Sequence, residues 1–526
     1  MGEKEPEAKV KPSIKVNSAK NTGSSKYNLD LNSTVNGKVT VKQGNKELYS
    51  GDINANTSLK VLTTLEKGNN KFDVTYTTAE GEPIEVSHNV TYKSYGVADG
   101  DVFVSQTGTE NGDGTVESPI DIQTALTYTN DGQTIKVKGG VYNLTSPLKI
   151  DSTNSGTSEK MKTLTSYDGE RPVFDFGKSC DGFTIVGNYW RVYGIDVCNT
   201  ADTKHGISLS GSYNTIEAVK TYRNGDTGLQ ISTDTNADRS VWPSYNLILK
   251  CDSYDNMDAA MNNADGFAAK ITCGEGNVFR QCISHNNCDD GWDLFSKLEI
   301  GGISPVLIED CITYGNGTLT DGTKTSGDGN SNPAVVVENT VSTQNDKNFR
   351  FDYYTNAELL YSLKNVYSYE TKEHNEDEVP SMAYGDTVYL FDGTKSANAS
   401  GKVLEASAFK STEMPSGFER DSDNNIIWGD YMQLVTPLED NKDNQDNKDN
   451  KDDKDNKDDG NDLNTGIDNK KVFNEETSES VNDDYKGGFN PTNNNATKTG
   501  DVGTLGMLGL GFISLVGMFG SKKKNK

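Results

Sequence analysis

Two stretches decide the fold: Ala-Asp-Gly-Phe-Ala-Ala-Lys at Ala264–Lys270, and Asp-Asp-Gly-Trp-Asp-Leu-Phe-Ser-Lys at Asp289–Lys297. Aligning Asp265-Gly266-Phe267 with Asp290-Gly291-Trp292 gives a spacing of 25 residues, close to the period of the surrounding sequence. If that period is one turn of a solenoid, Asp265 and Asp290 stack at the spacing of neighbouring strands, about 4.8 Å. Alternate residues of a strand face opposite ways, so Phe267 and Ala269 point inward with Trp292 and Leu294. Lys270 and Asp293 are then expected on the outside, beside Asp265, Asp289 and Asp290 at the bend before each strand. Four carboxylates this close repel one another, and a divalent cation is the simplest way to keep them ionised. A lone Asp before Gly is ordinary turn chemistry; the same triplet one turn apart, with two more acids beside it, points to metal. Hard oxygen donors in this number select calcium over softer ions.

The repeat extends in both directions. Val219-Lys220-Thr221-Tyr222 lines up with Cys251–Tyr254, Cys282–His285, Cys311–Tyr314, Thr340–Thr343 and Val366–Tyr369, at intervals of 26–32 residues. Such self-similarity marks a stacked architecture, here a parallel β-helix in which short strands of each turn pair with the next. Asn214, Asn246 and Asn277 each stand five residues before an anchor; stacked at one bend, they are expected to hydrogen-bond one another. Cys251, Cys282 and Cys311 occupy equivalent positions and read as small core residues, although stacked neighbours are close enough for a bridge. Pro119 to Leu126 is expected to form a short helix closing the open end of the solenoid.

Outside the repeat the composition changes. Residues 12–93 carry short alternating runs such as Lys38-Val39-Thr40-Val41 and Lys71–Tyr76, separated by Asn36-Gly37 and Glu80-Gly81, which reads as a small immunoglobulin-like β-sandwich. Residues 98–437 hold the repeat. Residues 438–498 form an Asp/Asn/Lys tract with almost nothing to bury, expected to be a disordered stalk. Residues 499–526 combine the apolar, glycine-rich run Val502–Gly520 with a basic tail. The start, Met1-Gly2 followed by Lys/Glu/Pro-rich sequence, has no apolar signal core. The expectation is an extracellular protein attached to a bacterial cell surface, its export signal lying outside this sequence.

The formal net charge of -27 argues against nucleic acid as a partner, because phosphate binding needs clustered Lys and Arg. An acidic chain can still handle an acidic polymer through a bridging cation. Hydrophobic residues make up 33% and glycines number 52, a balance that favours turn-rich β structure. The chain is expected to act as a monomer.

At Ala264–Lys270 and Asp289–Asp293, with Gly225–Ile231 and Asn246–Asp255 before them, the sequence resembles family 9 polysaccharide lyases. The resemblance covers residues 98–437, includes Pro172–Phe176, and implies a calcium-dependent pectate lyase built on a right-handed parallel β-helix. It implies calcium ligands at Asp265, Asp289, Asp290 and Asp293, and β-elimination on polygalacturonate (pectin). The C-terminus resembles a Gram-positive cell-wall sorting signal at Thr497-Lys498-Thr499-Gly500, except that Ala496-Thr497 replaces the usual Leu-Pro. A single membrane span is the other reading, and the length of the apolar run suffices for it.

The family's base is a lysine in a Gly-Phe-Lys strand, on a turn after the calcium cluster. Here Gly327-Asp328-Gly329-Asn330 runs directly into Ser331-Asn332-Pro333-Ala334-Val335, which reads as the start of the following turn. The interval across the junction stays regular, so close to one whole turn is absent. A solenoid tolerates such a loss because each repeat contacts only its neighbours. Lys324 is a weak candidate for the base, Arg350 weaker still because arginine stays protonated. Lys270 and Lys297 read as partners for substrate carboxylates. Three functions stay open: a pectate lyase with activity impaired by the absent turn, a non-catalytic calcium-dependent pectin-binding protein, and a hydrolase using two of the aspartates as acid and base.

Overall fold

The computed structural model describes residues 10–436 apart from 80, 98–99, 298, 332–334, 352–360, 380–385 and 414–416. The expected stalk and anchor, residues 438–498 and 499–526, lie outside the described residues, as does most of the junction after Ser331.

Alternating sequence at the N-terminal end folds as two sheets, antiparallel except where Asn21–Thr22 runs parallel to Ile84–Tyr92. Lys26–Ser33 pairs on one side with Ile14–Val16 and on the other with Leu59–Thr64. Facing it is a second sheet ordered Asn21–Thr22, Ile84–Tyr92, Gly68–Thr77, Gly37–Gln43 and Lys46–Ile53. Period-2 patterning puts Leu29, Leu31, Val41, Phe72 and Val74 between the sheets, all buried. This module touches the first coil of the next: the Tyr128 hydroxyl donates to Asn21 Oδ1 at 3.0 Å and Asn130 Nδ2 to the Gly23 carbonyl at 2.6 Å.

From Asp101 onward each turn contributes three short strands to three parallel sheets, the architecture of a right-handed β-helix. The first sheet starts at Asp101–Val104 and Thr134–Val137, the second at Gly140–Asn143, the third at Leu148–Ile150. Register follows the sequence alignment: Lys220 pairs with Asp252, Asp252 with Ile283, Ile283 with Ile312, and Ile312 with Val341. Inward residues form one continuous core in which Phe267 stacks on Trp292 with ring centroids 5.2 Å apart. The cap helix runs Ile122–Tyr128, starting later than expected because Asp121 caps it by accepting from Thr124 N at 2.8 Å. It buries Ile122, Ala125 and Leu126 against the first coil.

All seven cysteines are free, and Cys251, Cys282 and Cys311 are buried core residues. Asn214, Asn246 and Asn277 do form a ladder: Asn246 Nδ2 donates to Asn277 Oδ1 at 3.0 Å, and Asn214 N to Asn246 Oδ1 at 3.0 Å. A second, longer ladder of Asn224, Asn256, Asn287, Asn316 and Asn345 fills the bend between the second and third sheets. Beyond the last coil the chain returns along the second sheet. There Arg420 clamps Asp252 at 2.6 Å, and Phe409, Tyr431 and Met432 join Ile312 and Tyr314 in a separate apolar cluster.

Candidate metal centre and groove

The bend that leads into the third sheet is built on the second asparagine ladder. Ser253 Oγ donates to the Gly266 carbonyl at 2.7 Å and Ser284 Oγ to that of Gly291 at 2.9 Å. A Cβ at Gly266 would meet Ser284 Oγ at 1.9 Å and Asn287 Nδ2 at 2.7 Å; at Gly291 it would meet Thr313 Oγ1 at 2.2 Å. Glycine is therefore required after the aspartate by close approach to the ladder. The residue before each glycine is carried to the outer side of the bend and stacked: Gly266 N bonds the Asp290 carbonyl, Gly291 N that of Asp328, and Gly329 N that of Lys347.

The structure brings Asp265, Asp289 and Asp290 together, with one carboxylate oxygen of each within 4.8 Å of the others. Asp293 lies outward on the next strand, in register with Ala268 on one side and Ser331 on the other. Asp265 is 1% exposed and Asp290 and Asp293 9% each, while Asp289 is half-buried. Backbone and hydroxyl donors meet part of their demand. Asp328 N donates to Asp290 Oδ1 at 2.8 Å, Phe295 N to Asp293 Oδ1 at 3.0 Å, and Thr227 Oγ1 to Asp265 Oδ2 at 2.9 Å. Ser331 Oγ donates to Asp290 Oδ2.

Lys270 sits elsewhere than on the open face expected from strand alternation. Its ammonium is buried, donating to Asp265 Oδ2 at 2.9 Å and Asp293 Oδ2 at 2.7 Å. Burial disfavours its charge, but Asp265, Asp293 and Asp226 outweigh that and hold its pKa well above the ordinary lysine value. Lys297 lies on a turn past the strand end, its carbonyl accepting from Ile300 and Gly301. Lys324 is exposed on a loop, bridged through its backbone to Thr318. Arg350 is outward on the strand after Ser331, its guanidinium near Asp328 at 3.4 Å and Glu378 at 3.5 Å.

The electrostatics are those of an unbalanced cluster. Burial, with repulsion from Asp293, raises Asp265 to about 7 against the pull of Lys270. Burial first, then Asp290, pushes Asp289 well above the carboxylate range; burial and then Asp328 do the same for Asp290. Asp328 is raised to about 6, again mainly by burial. Among the described residues, the Lys270 ammonium and the Arg350 guanidinium beside Asp328 face five carboxylates, which leaves the donor set short of positive charge. All the donors are hard oxygens, so the converging Asp265, Asp289 and Asp290 suit a hard divalent cation, while Asp293 stands beside them on the strand that follows. Sequence reasoning missed Asp328 and Ser331. The signal for Asp328 was available, since Gly327-Asp328-Gly329 repeats the acid-Gly motif one turn on.

The description "Pel9A-like, right handed beta helix region" matches residues 102–375. The chain belongs to the Pel9A-like family of β-helix proteins, the family 9 polysaccharide lyases. Residues 15–95 match the "Pectate disaccharide-lyase central Ig-like domain". "Pectate lyase L" of Thermoclostridium stercorarium is 41% identical over 445 residues, spanning 77% of this chain and 36% of that protein. "Pectate lyase L" of Paenibacillus polymyxa is 35% identical over 377 residues, 64% of this chain and 82% of that protein. The chain thus spans about a third of the first relative's length. The crystal structure of pectate lyase Pel9A shares the fold, with a TM-score of 0.51 at 23% identity over 64% of this chain and 90% of the other.

Proposed function

We propose that the chain binds polygalacturonate along the outward face of the third sheet, with calcium held at the acidic bend, and that it is built for β-elimination. The observation that carries this reading is the convergence of Asp265, Asp289 and Asp290 within 4.8 Å, beside the outward row that bears Asp293. The names of its relatives, pectate lyases and a pectate disaccharide-lyase, support the substrate class. Calcium at these four aspartates would supply positive charge to a uronate carboxylate and so make the proton at C5 more acidic. Elimination then needs a base for that proton. The C5–H electron pair becomes the C4–C5 double bond, and the glycosidic oxygen leaves C4 with its electrons and takes up a proton.

The base is where this chain departs from its family. In register with Asp293, the outward place on the next strand belongs to Ser331. That strand pairs with Trp292–Asp293 before it and Phe349–Arg350 after it, so the acidic bend is followed directly by a coil that carries serine at this outward place, and a serine hydroxyl is too weak an acceptor of protons to serve as the base. Lys270 is committed to two carboxylates, Lys324 is exposed on its loop, and Arg350 stays charged. This chain is therefore a slow lyase that retains calcium and pectin binding. Ser331 also favours the second reading, a non-catalytic pectin-binding protein. The hydrolase reading is disfavoured by the names of the relatives, which are lyases.

The test is ultraviolet absorbance of the unsaturated product on polygalacturonate, with calcium and then with chelator. A weak, chelator-sensitive signal is expected, rising about 10²–10⁴-fold in Ser331→Lys, the usual worth of general-base assistance. Vigorous elimination by the unaltered chain would overturn the impairment, and loss of that activity in Lys324→Ala would identify a replacement base. Calcium-dependent pectin binding without product from either protein would establish the binder.

The C-terminal run and basic tail support attachment to the bacterial surface outside the cell. Release by peptidoglycan digestion would indicate covalent sorting, and retention a membrane span. We assign a monomer, which light scattering checks.

A further inference from the structure

Among the described residues, Lys270 is the ammonium that bridges the acidic bend, from Asp265 to Asp293. The strand Phe267–Ala269 ends just before it, and Ile271 turns the chain with a φ of 67°. Lys270 is 7% exposed, and its Nζ reaches two successive turns at once, Asp265 on its own and Asp293 on the next. It takes Oδ2 of both. The remaining oxygens accept from backbone: Asp265 Oδ1 from Asp290 N at 3.3 Å, Asp293 Oδ1 from Phe295 N at 3.0 Å. A substrate-pairing lysine would present its ammonium to the groove; this one is spent inside.

We infer that Lys270 is a resident counter-cation of the metal centre: it shares the carboxylates of Asp265 and Asp293 with calcium, holds the bend together without metal, and keeps calcium affinity down. The inference rests on the calcium reading above and adds a role for a residue of this chain. Two consequences follow from charge alone. Without metal, an ammonium between carboxylates on adjacent turns offsets repulsion that would otherwise open the bend. With metal, the same ammonium repels the incoming cation and competes for the same oxygens. A merely structural ion pair behaves differently, because its loss weakens both states alike and does not tighten metal binding.

The experiment compares the full chain with Lys270→Met, which keeps the length and removes the charge, and with Lys270→Arg, which keeps the charge. Calorimetric calcium titration and thermal unfolding in chelator and in saturating calcium are the readouts; neither depends on activity. In Lys270→Met the calcium Kd is expected to fall about tenfold, or roughly 1.4 kcal/mol. Its Tm in chelator should drop by several degrees and rejoin that of the parent once calcium is added, while Lys270→Arg holds its Tm in chelator. Calcium binding by the parent with no tightening in Lys270→Met would overturn this inference alone, as would equal losses of Tm with and without calcium. A Lys270→Met protein that does not fold even in calcium would overturn it too. If neither protein takes up calcium, this inference and the calcium reading both fall. Uptake by Lys270→Met alone would support the counter-cation in its strongest form.

Discussion

Two ladders climb the same bend between the second and third sheets, between two and twelve residues apart in each turn. One is Asn224, Asn256, Asn287, Asn316 and Asn345; the other is Asp265, Asp290 and Asp328, with Thr227 before them and Lys347 after. Both stack like residues at the strand repeat, yet their chemistry is opposite. A carboxamide carries donor and acceptor, so each Asn Nδ2 meets the next Oδ1 at 2.9–3.0 Å and the column satisfies itself. A carboxylate only accepts, so a column of aspartates must import its donors. It takes them from backbone N–H groups, from Thr227 and Ser331, and from the ammonium of Lys270. The amide ladder is closed and structural; the acid ladder is open, and that openness is what a cation can use.

The sharpest separation is in pH, because several acids titrate together. Asp265 titrates near 7 in the fold against 3.8 unfolded, and Asp328 near 6. Between about pH 4 and 7 the folded chain therefore binds more protons than the unfolded one, so stability falls as pH rises through that window. Calcium bound at the bend would hold the carboxylates ionised and remove the slope. Thermal unfolding from pH 4 to 8 should give curves with and without calcium that meet in acid and part above pH 7. Asp392 opposes this trend, being held at about 2 by its hydrogen bonds with Thr394 and Lys395, so the quantity to follow is the parent minus Asp265→Asn. A difference that grows with pH would break the contrast.

Moving an acid into the other ladder is the next test. Asn287 is fully buried, donating to Asn316 Oδ1 at 3.0 Å while its own Oδ1 accepts from Asn256 at 2.9 Å. Asn287→Asp sets an acceptor against an acceptor and leaves a buried charge unpaired, at a cost of about 3–5 kcal/mol near neutral pH. The loss should shrink in acid, where the new carboxyl is protonated and can donate again. Denaturant unfolding at pH 5 and 8 measures it, and equal loss at both would show that packing rather than charge governs the column.

How much of this was legible depended on how local the signal was. Phe267 against Trp292 could be aligned because an inward aromatic follows the same Asp-Gly twice, and the acid quartet came with it. The longer asparagine ladder carries an equally clear signal, an Asn five residues after each anchor, as regular as the column five residues before. Lys270 was placed outward by alternation, and it does leave the core. What the parity rule lacks is that the outside, at that point, is roofed by carboxylates. Arg420 gripping Asp252 had no sequence signal at all, since the partners stand 168 residues apart.

The smallest effect tests the contrast most directly, by converting one rung. Asp290→Asn keeps an acceptor for Asp328 N, now 2.8 Å away, and replaces the other oxygen with a donor. In chelator at pH 8 it removes a charge that repels Asp265, Asp289 and Asp328, so the metal-free protein should gain roughly 1–2 kcal/mol, the scale of about one pKa unit. The same change would take a hard donor from the proposed calcium, so any rise in Tm that calcium gives the parent should largely disappear. The two signs are opposed, and that opposition is the prediction. An Asp290→Asn protein less stable in chelator would mean that the column is already balanced by its imported donors. One that keeps the full calcium response would place the cation away from Asp290, and the acid ladder would then be as closed as the amide ladder beside it.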